Sequence, residues 1–383
     1  MLDRRTLRPP RRSRRMTTNN PRIPLMRPLL PTADQLLPYL RQIDESRWYS
    51  NFGPMVDAFE TRLAAMLGLT KDNLVCVTSG TIGLVLSLRA QEPAPDSYCL
   101  MPSWTFVASA NAVRWAQMRP WFLDVEEATW MLTPERARAA LDDVDGPIGA
   151  VMPVSAFGAP VDVAGWDAFR AETGIPVIID AAAAFDGAQF GEAPLVISLH
   201  ATKVLGIGEG AFIASRDLEF AARVRSLSNF GFVSRQESEL EGINAKVSEY
   251  AAAVGMAALD RWSLVRAAFS RATQHYQEAF ADMPRVSLAP GLSETHVRST
   301  LSMRLADPCA DRMMSDLAAA GIASRQWWGK GCHIMGAFKT MPRAPLPVTE
   351  MLARSVVGLP FSQDIRVDEI CDVRDAVERA LSR

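Results

Sequence analysis

The chain is predicted to be an α/β protein: a mainly parallel seven-stranded sheet flanked by helices, followed by a smaller C-terminal α/β domain. Two observations predict this. Seven short apolar runs alternate with segments of helical apolar spacing. Near residue 245 that alternation gives way to two long Ala-rich helical segments and then to a mixed region. With 383 residues the chain is long enough for two domains and a large core.

Taken in order, Pro21–Ser50 reads as an N-terminal arm ending in a helix over Ala33–Ser46, and Asn51–Pro54 is a turn. Met55, Phe59, Leu63 and Leu67 recur at helical spacing. The strand candidates are Leu74–Thr78, Tyr98–Met101, Pro120–Val125, Ile148–Val154, Val177–Asp180, Leu195–Leu199 and Ala211–Ala214. The helices between them are Gly80–Ala90, Phe106–Gln117, Pro134–Leu141, Val163–Thr173 and Asp217–Ser228. Lys246–Trp262 and Val265–Phe280 read as long helices, and Pro308–Ala320, Thr349–Val356 and Val367–Leu381 as helices of the smaller domain. The expected division is a disordered basic extension at 1–20, an arm and large domain at 21–262, and a small domain at 263–383.

Composition excludes several classes. Hydrophobic residues are 48% and charged residues 22%, as in soluble globular proteins. The net charge of −2 gives no global pull toward nucleic acid or membrane. No apolar run is long enough to span a bilayer. The five cysteines are scattered and form no CxxC, which fits reduced thiols in the cytoplasm. The four histidines form no HxxxH or HExxH pair, so no metal site is expected.

In an open α/β sheet, ligands gather outside the carboxyl ends of the strands. Ser79, Trp104, Asp180 and Ser198 all stand at or just past such ends, and Lys203 follows closely. Each has two readings. Ser79-Gly80-Thr81 is either an ordinary helix cap or an anion cradle of backbone N–H groups. Asp180 either caps the following Ala run or pairs with a cationic ring nitrogen. Trp104 either packs in the core or stacks on a flat ring. Lys203 lies 23 positions after Asp180, among Ser198, Thr202 and the glycines 206, 208 and 210. It is either a solvated surface lysine or an amine held for covalent chemistry. A lysine, an acid and a phosphate cradle on one rim are what pyridoxal 5′-phosphate needs: a Schiff-base amine, a partner for the pyridine nitrogen, and an anion site. His200 and His333, from the residues alone, read as structural.

These segments resemble the DegT/DnrJ/StrS family of pyridoxal-phosphate-dependent nucleotide-sugar aminotransferases, of fold type I. The resemblance runs from about Pro24 to the C-terminus. It is carried, in family order, by Ser50–Pro54, Phe59-Glu60, Ser79–Thr81, Pro102–Phe106, Phe157–Asp162, Asp180–Ala182, Ser198–Lys203, Gly208–Gly210, Asn244–Lys246 and Gly358–Pro360. It implies that Lys203 holds the cofactor and moves protons, and that Asp180 pairs with the ring nitrogen. Gly80, Thr81 and Ser198, beside Ser79, hold the phosphate, and Trp104 covers the ring. It also implies a homodimer with shared active sites, in which Asn229 and the Asn244–Lys246 segment reach the partner subunit's cofactor.

The implied reaction moves an amino group from glutamate to a nucleotide-linked keto-deoxyhexose. The stretch Ser324–His333 resembles the subgroup acting on dTDP-4-keto-6-deoxyhexoses. Its Arg325, Lys330 and His333, with Lys246, are the substrate candidates, and a surface loop over a hydrophobic core is the other reading of that stretch. The expected role is O-antigen or other glycan biosynthesis. The resemblance departs where the family commonly has Gln and His after the aspartate; here they are Ala183 and Phe185. Those departures motivate an alternative, a non-catalytic regulator on the same fold. A pyridoxal-phosphate-dependent sugar dehydratase is a further alternative, which Lys203 opposes because some such relatives carry histidine there.

Overall fold

The computed structural model describes residues 21–234 and 237–383; the expected basic extension at 1–20 lies outside them. The central sheet is built from β1 (Leu74–Val77), β2 (Tyr98–Pro102), β3 (Arg119–Leu123), β4 (Ile148–Val151), β5 (Ile179–Asp180), β6 (Leu195–Ser198) and β7 (Ala211–Ala214). Regular ladders give the orders β1-β7-β6-β5 and β3-β2-β4. The two halves join where Val151 bridges Val177 and Val154 bridges Asp180, both in parallel. Backbone bonds from Ile178 N–H to the Val151 carbonyl and from Asp180 N–H to the Pro153 carbonyl, each 2.9 Å, close that seam. The result is the expected mainly parallel seven-stranded sheet, in which β7 alone runs antiparallel to both its neighbours. Its reversal follows from the Leu199–Gly210 connection, which contains no helix to carry a parallel crossover.

Helices cover both faces, and β1, β6 and β7 are buried along their whole length. Parallel sheets need such double cover, which is why these strands are continuously apolar. The helices of this part are α1 (Ala33–Ser46), α2 (Pro54–Met66), α3 (Gly80–Arg89), α4 (Val107–Trp115), α5 (Pro134–Ala139), α6 (Val163–Thr173), α7 (Leu218–Leu227) and α8 (Glu249–Asp260). The long α9 (Trp262–Phe280) leads to a three-stranded antiparallel sheet of β8 (Val286–Leu288), β9 (Leu301–Leu305) and β10 (Val356–Leu359), ordered β10-β9-β8. Helices α10 (Ala310–Ala319), α11 (Pro347–Ser355) and α12 (Val367–Leu381) accompany that sheet. The N-terminal arm joins it: Ile23 exchanges backbone bonds with Gly321 and Ala323, and the Leu25 carbonyl accepts from Phe361.

Two buried carboxylates stitch helix starts to distant segments. Glu249, 1% exposed, accepts from the N–H groups of Gly53, Met55 and Val56 at 3.1, 2.7 and 3.3 Å, capping α2 from the first residue of α8. Asp124 likewise accepts from Val348 N–H and Thr349 N–H at the start of α11, both 2.8 Å.

Helix α8 starts later than the Ala-rich pattern predicts. Residues 244–247 stay extended beside β1, with Thr78 N–H on the Ala245 carbonyl at 2.9 Å. Ser248 then caps the helix by accepting from Ala251 N–H at 3.2 Å.

Candidate active site

The carboxyl ends of β1, β2, β5 and β6 share one rim, because β1 and β6 both run antiparallel to the β7 between them. Asp180 is the last residue of β5 and is buried. One carboxylate oxygen accepts from the Ser109 hydroxyl at 2.6 Å and the other from Ala182 N–H at 3.1 Å. Ser109 is held in turn by Thr105, with the two hydroxyls 2.8 Å apart. Burial pushes the Asp180 carboxyl above its ordinary range, while the two hydrogen bonds and the positive charge of Lys203 pull it back.

Lys203 lies in the turn after β6. That turn is folded tightly: Ala201 N–H donates to the Gly208 carbonyl and Lys203 N–H to the His200 carbonyl, both at 2.8 Å. Desolvation by the surrounding protein lowers the pKa of the amine, and Asp180 opposes the shift. A lysine so placed has a larger neutral, nucleophilic fraction than one in water.

Ser79 caps α3, its hydroxyl accepting from Ile82 N–H at 3.3 Å. The first N–H groups of α3, from Gly80 and Thr81, stand at this helix start and have no acceptor within the helix. Ser198 closes the other side: a Cβ at Gly80 would stand 3.4 Å from the Ser198 Cβ. Small residues on facing walls and a helix start between them suit a phosphate. The cap reading of Ser79-Gly80-Thr81 holds, and it is compatible with the anion-cradle reading.

Trp104 is 3% exposed and meets Phe157 and Trp328 edge-on, with ring centroids at 6.4 and 5.4 Å. It is a packed residue at the rim, and its indole N–H has no partner among the described residues. Asn229 and Lys246 are brought together, the amine donating to the Asn229 side-chain oxygen at 2.8 Å and lying 4.6 Å from the Phe230 ring centroid. His333 is buried and bonded to Ser103 just past β2, with its Nδ1 2.7 Å from the hydroxyl. Burial lowers its pKa, which favours the neutral ring. Arg325 and Lys330 are exposed, and the Arg325 guanidinium covers Trp327 at 5.4 Å.

Sequence reasoning missed Ser109 and Thr105, which hold Asp180. A serine and a threonine four residues apart at a helix start carry no mark of that role. Phe185, one of the two departures, is a core residue packed edge-on against Phe212 and Trp262 at 6.3 and 4.9 Å.

The model of the DegT/DnrJ/EryC1/StrS aminotransferase family matches residues 32–378. The chain belongs to that family. It is 30% identical over 380 residues to protein Rv3402c of Mycobacterium tuberculosis (strain ATCC 25618 / H37Rv), covering 94% of this chain and 90% of the relative. It is 28% identical to UDP-N-acetyl-3-dehydro-alpha-D-glucosamine 3-aminotransferase of Acidithiobacillus ferrooxidans, over 96% of this chain and all of that one (100%). The crystal structure of DesI in the presence of its TDP-sugar product superposes with a TM-score of 0.85 at 33% identity, covering 95% of this chain and 94% of DesI. The protein is thus a sugar aminotransferase of fold type I, and its cofactor is pyridoxal phosphate. The residues fit that cofactor: a desolvated amine, a buried carboxylate held by two donors, and a small-residue cradle at a helix start lie on one rim.

Proposed function

We propose that this aminotransferase moves an amino group from glutamate to the ketone carbon of a nucleotide-linked keto-6-deoxyhexose, with dTDP-4-keto-6-deoxyglucose as its substrate. The observation that carries the reading is a buried Asp180, its two oxygens held by Ser109 and Ala182, within electrostatic reach of a desolvated Lys203. When bound, the cofactor supplies an electron sink for the carbon that loses its proton. Asp180, whose charged form its two donors favour against burial, would hold the ring nitrogen protonated. Lys203 Nζ takes and returns the proton, a task suited to an amine whose pKa is lowered by burial. Gly80, Thr81 and Ser198 hold the phosphate, and Trp104 covers the ring.

The nucleotide and the carbon that receives the amine belong to this proposal. DesI is seen with a TDP-sugar, and its 33% identity over nearly the whole chain supports the dTDP form. The Acidithiobacillus relative acts on a UDP-sugar at carbon 3, which sets the competing substrate. Arg325 and Lys330 are exposed cations suited to the diphosphate.

The enzyme works in the cytoplasm, in O-antigen or other glycan biosynthesis, as a homodimer with shared sites. The aromatic surface of Trp48, Tyr49, Phe230 and Tyr250, each about half-exposed, supports the dimer. Among the described residues no helix is long and apolar enough to cross a membrane.

The test incubates the holoenzyme with glutamate and, separately, dTDP-4-keto-6-deoxyglucose and a UDP-linked 3-keto sugar, and reads the products by mass spectrometry. An amino sugar formed from the dTDP substrate and stoichiometric 2-oxoglutarate are expected. Amination of the UDP sugar alone would overturn the substrate assignment. Loss of the sugar hydroxyl without amine gain would identify a dehydratase.

A further inference from the structure

Arg298 is 1% exposed, yet no carboxylate among the described residues pairs with it. Its Nη2 donates to the Pro290 carbonyl at 3.0 Å, and its Nε is buried with no partner among the described residues. Burial pushes its pKa down to about 10, so it remains a cation near neutral pH. A buried, uncompensated charge is costly, and proteins seldom keep one without a use. Asp186, which contacts the adjoining backbone, is already engaged: it accepts from Arg266 Nε and from Val297 N–H, all at 2.9 Å.

The stem of the Arg298 side chain packs beside the loop that leaves Asp180, and its guanidinium lies against Pro290 and Gly291. A Cβ at Gly158 would lie 3.4 Å from Arg298 Cγ and 2.5 Å from the Ala183 carbonyl oxygen, on the loop that leaves Asp180. The next residue, Ser299, lines a small cavity together with Lys203. The head packs closely against Gly291, where an added Cβ would stand 3.0 Å from Nη2. Gly158 and Gly291 both adopt positive φ, +90° and +62°, so neither position readily accepts a side chain. The cover is thin, because Gly291 is itself exposed.

We propose that Arg298 docks a carboxylate at the cofactor rim, supplied either by the amino donor or by an acidic substituent on the sugar. The donor form of this inference rests on the function proposed above. The incoming carboxylate takes the unpaired Nε–H and displaces the Pro290 carbonyl, giving the two-pronged pairing for which a guanidinium is shaped.

The test compares wild-type and Arg298→Met holoenzyme, with Arg298→Lys as the charge-conserving variant. Titration calorimetry measures glutarate, a dicarboxylate without an amine, and glucuronate 1-phosphate, an acidic sugar. Cofactor absorbance after glutamate addition and the melting temperature are read in parallel. Loss of a charge-assisted pair predicts that Arg298→Met weakens one of the two ligands by about 10- to 100-fold. The melting temperature should hold or rise, because an apolar side chain replaces an unpaired buried charge. Arg298→Lys should retain part of the affinity.

A loss confined to glutarate assigns the site to the donor, and one confined to glucuronate 1-phosphate assigns it to the sugar. If wild type binds glutarate through Arg298 but exchanges no amine with glutamate, the carboxylate site stands and the donor assignment falls. The inference is overturned if wild type binds neither ligand, or if Arg298→Met leaves both affinities unchanged. A lowered melting temperature with both affinities intact likewise makes Arg298 a structural residue.

Discussion

Replacing Ser109 with alanine tests how the site keeps Asp180 ionised. The carboxylate has two protein donors, the Ser109 hydroxyl at 2.6 Å and Ala182 N–H at 3.1 Å, and Ser109→Ala removes the shorter. A hydrogen bond to a charged group contributes roughly 1.5–3 kcal/mol, or about 10- to 150-fold in an equilibrium or rate. Burial already raises the Asp180 pKa, and the Ser109 bond is the largest influence lowering it. Without that bond the pKa rises further, so the carboxylate is neutralised at a higher pH than in wild type. A neutral Asp180 no longer holds the ring nitrogen protonated. The acid limb of kcat/KM for the glutamate half-reaction should therefore move to higher pH, with a fall of about tenfold or more on that limb. Stopped-flow absorbance of the cofactor across pH reads this directly. An acid limb that stays in place, with kcat/KM within about twofold of wild type, would refute the argument.

Other perturbations follow from the same geometry. Glu249→Ala frees three buried N–H groups at the start of α2 and should cost about 3 kcal/mol or more, measured by urea denaturation; a cost under about 0.5 kcal/mol would contradict the capping account. Gly158→Ala forces a Cβ against the Ala183 carbonyl at positive φ, and should destabilise the fold by at least about 1 kcal/mol and weaken cofactor binding. An unchanged melting temperature and cofactor affinity would show that the Ala183 loop has room to yield. In a shared-site dimer, mixing inactive Lys203→Ala with inactive Lys246→Met subunits should restore activity through heterodimers. No recovery after subunit exchange would place each site within one chain.

Much of this was legible in the sequence because the sheet is buried on both faces. Apolar runs then mark the strands directly, and the ends of those runs mark the rim where Asp180, Ser198 and Lys203 gather. Limits of α1, α6, α12 and β7 agree with the periodicity to the residue. The reversed β7 escaped explicit prediction, although the helix-free Leu199–Gly210 connection was its signature. The extended conformation of residues 246–247 was hidden by an Ala-rich pattern, because a strand neighbour outweighs helix propensity there. The surroundings of Ser109 and Arg298 were illegible for another reason: they depend on which buried groups lie opposite, and local sequence order does not encode that. The close partners of Trp104 and His333, namely Trp328 and Ser103, come from distant segments and could not be read from local order.

The central claim is that Lys203 is the working amine of the aminotransferase. Its most direct measurement is the visible absorbance of purified protein with pyridoxal phosphate, before and after excess glutamate, in wild type and Lys203→Ala. Wild type should show a lysine-linked cofactor band that glutamate converts to the amine form, while Lys203→Ala should lack that band and give no catalytic turnover. A Lys203→Ala variant with the wild-type band and wild-type turnover would contradict the account.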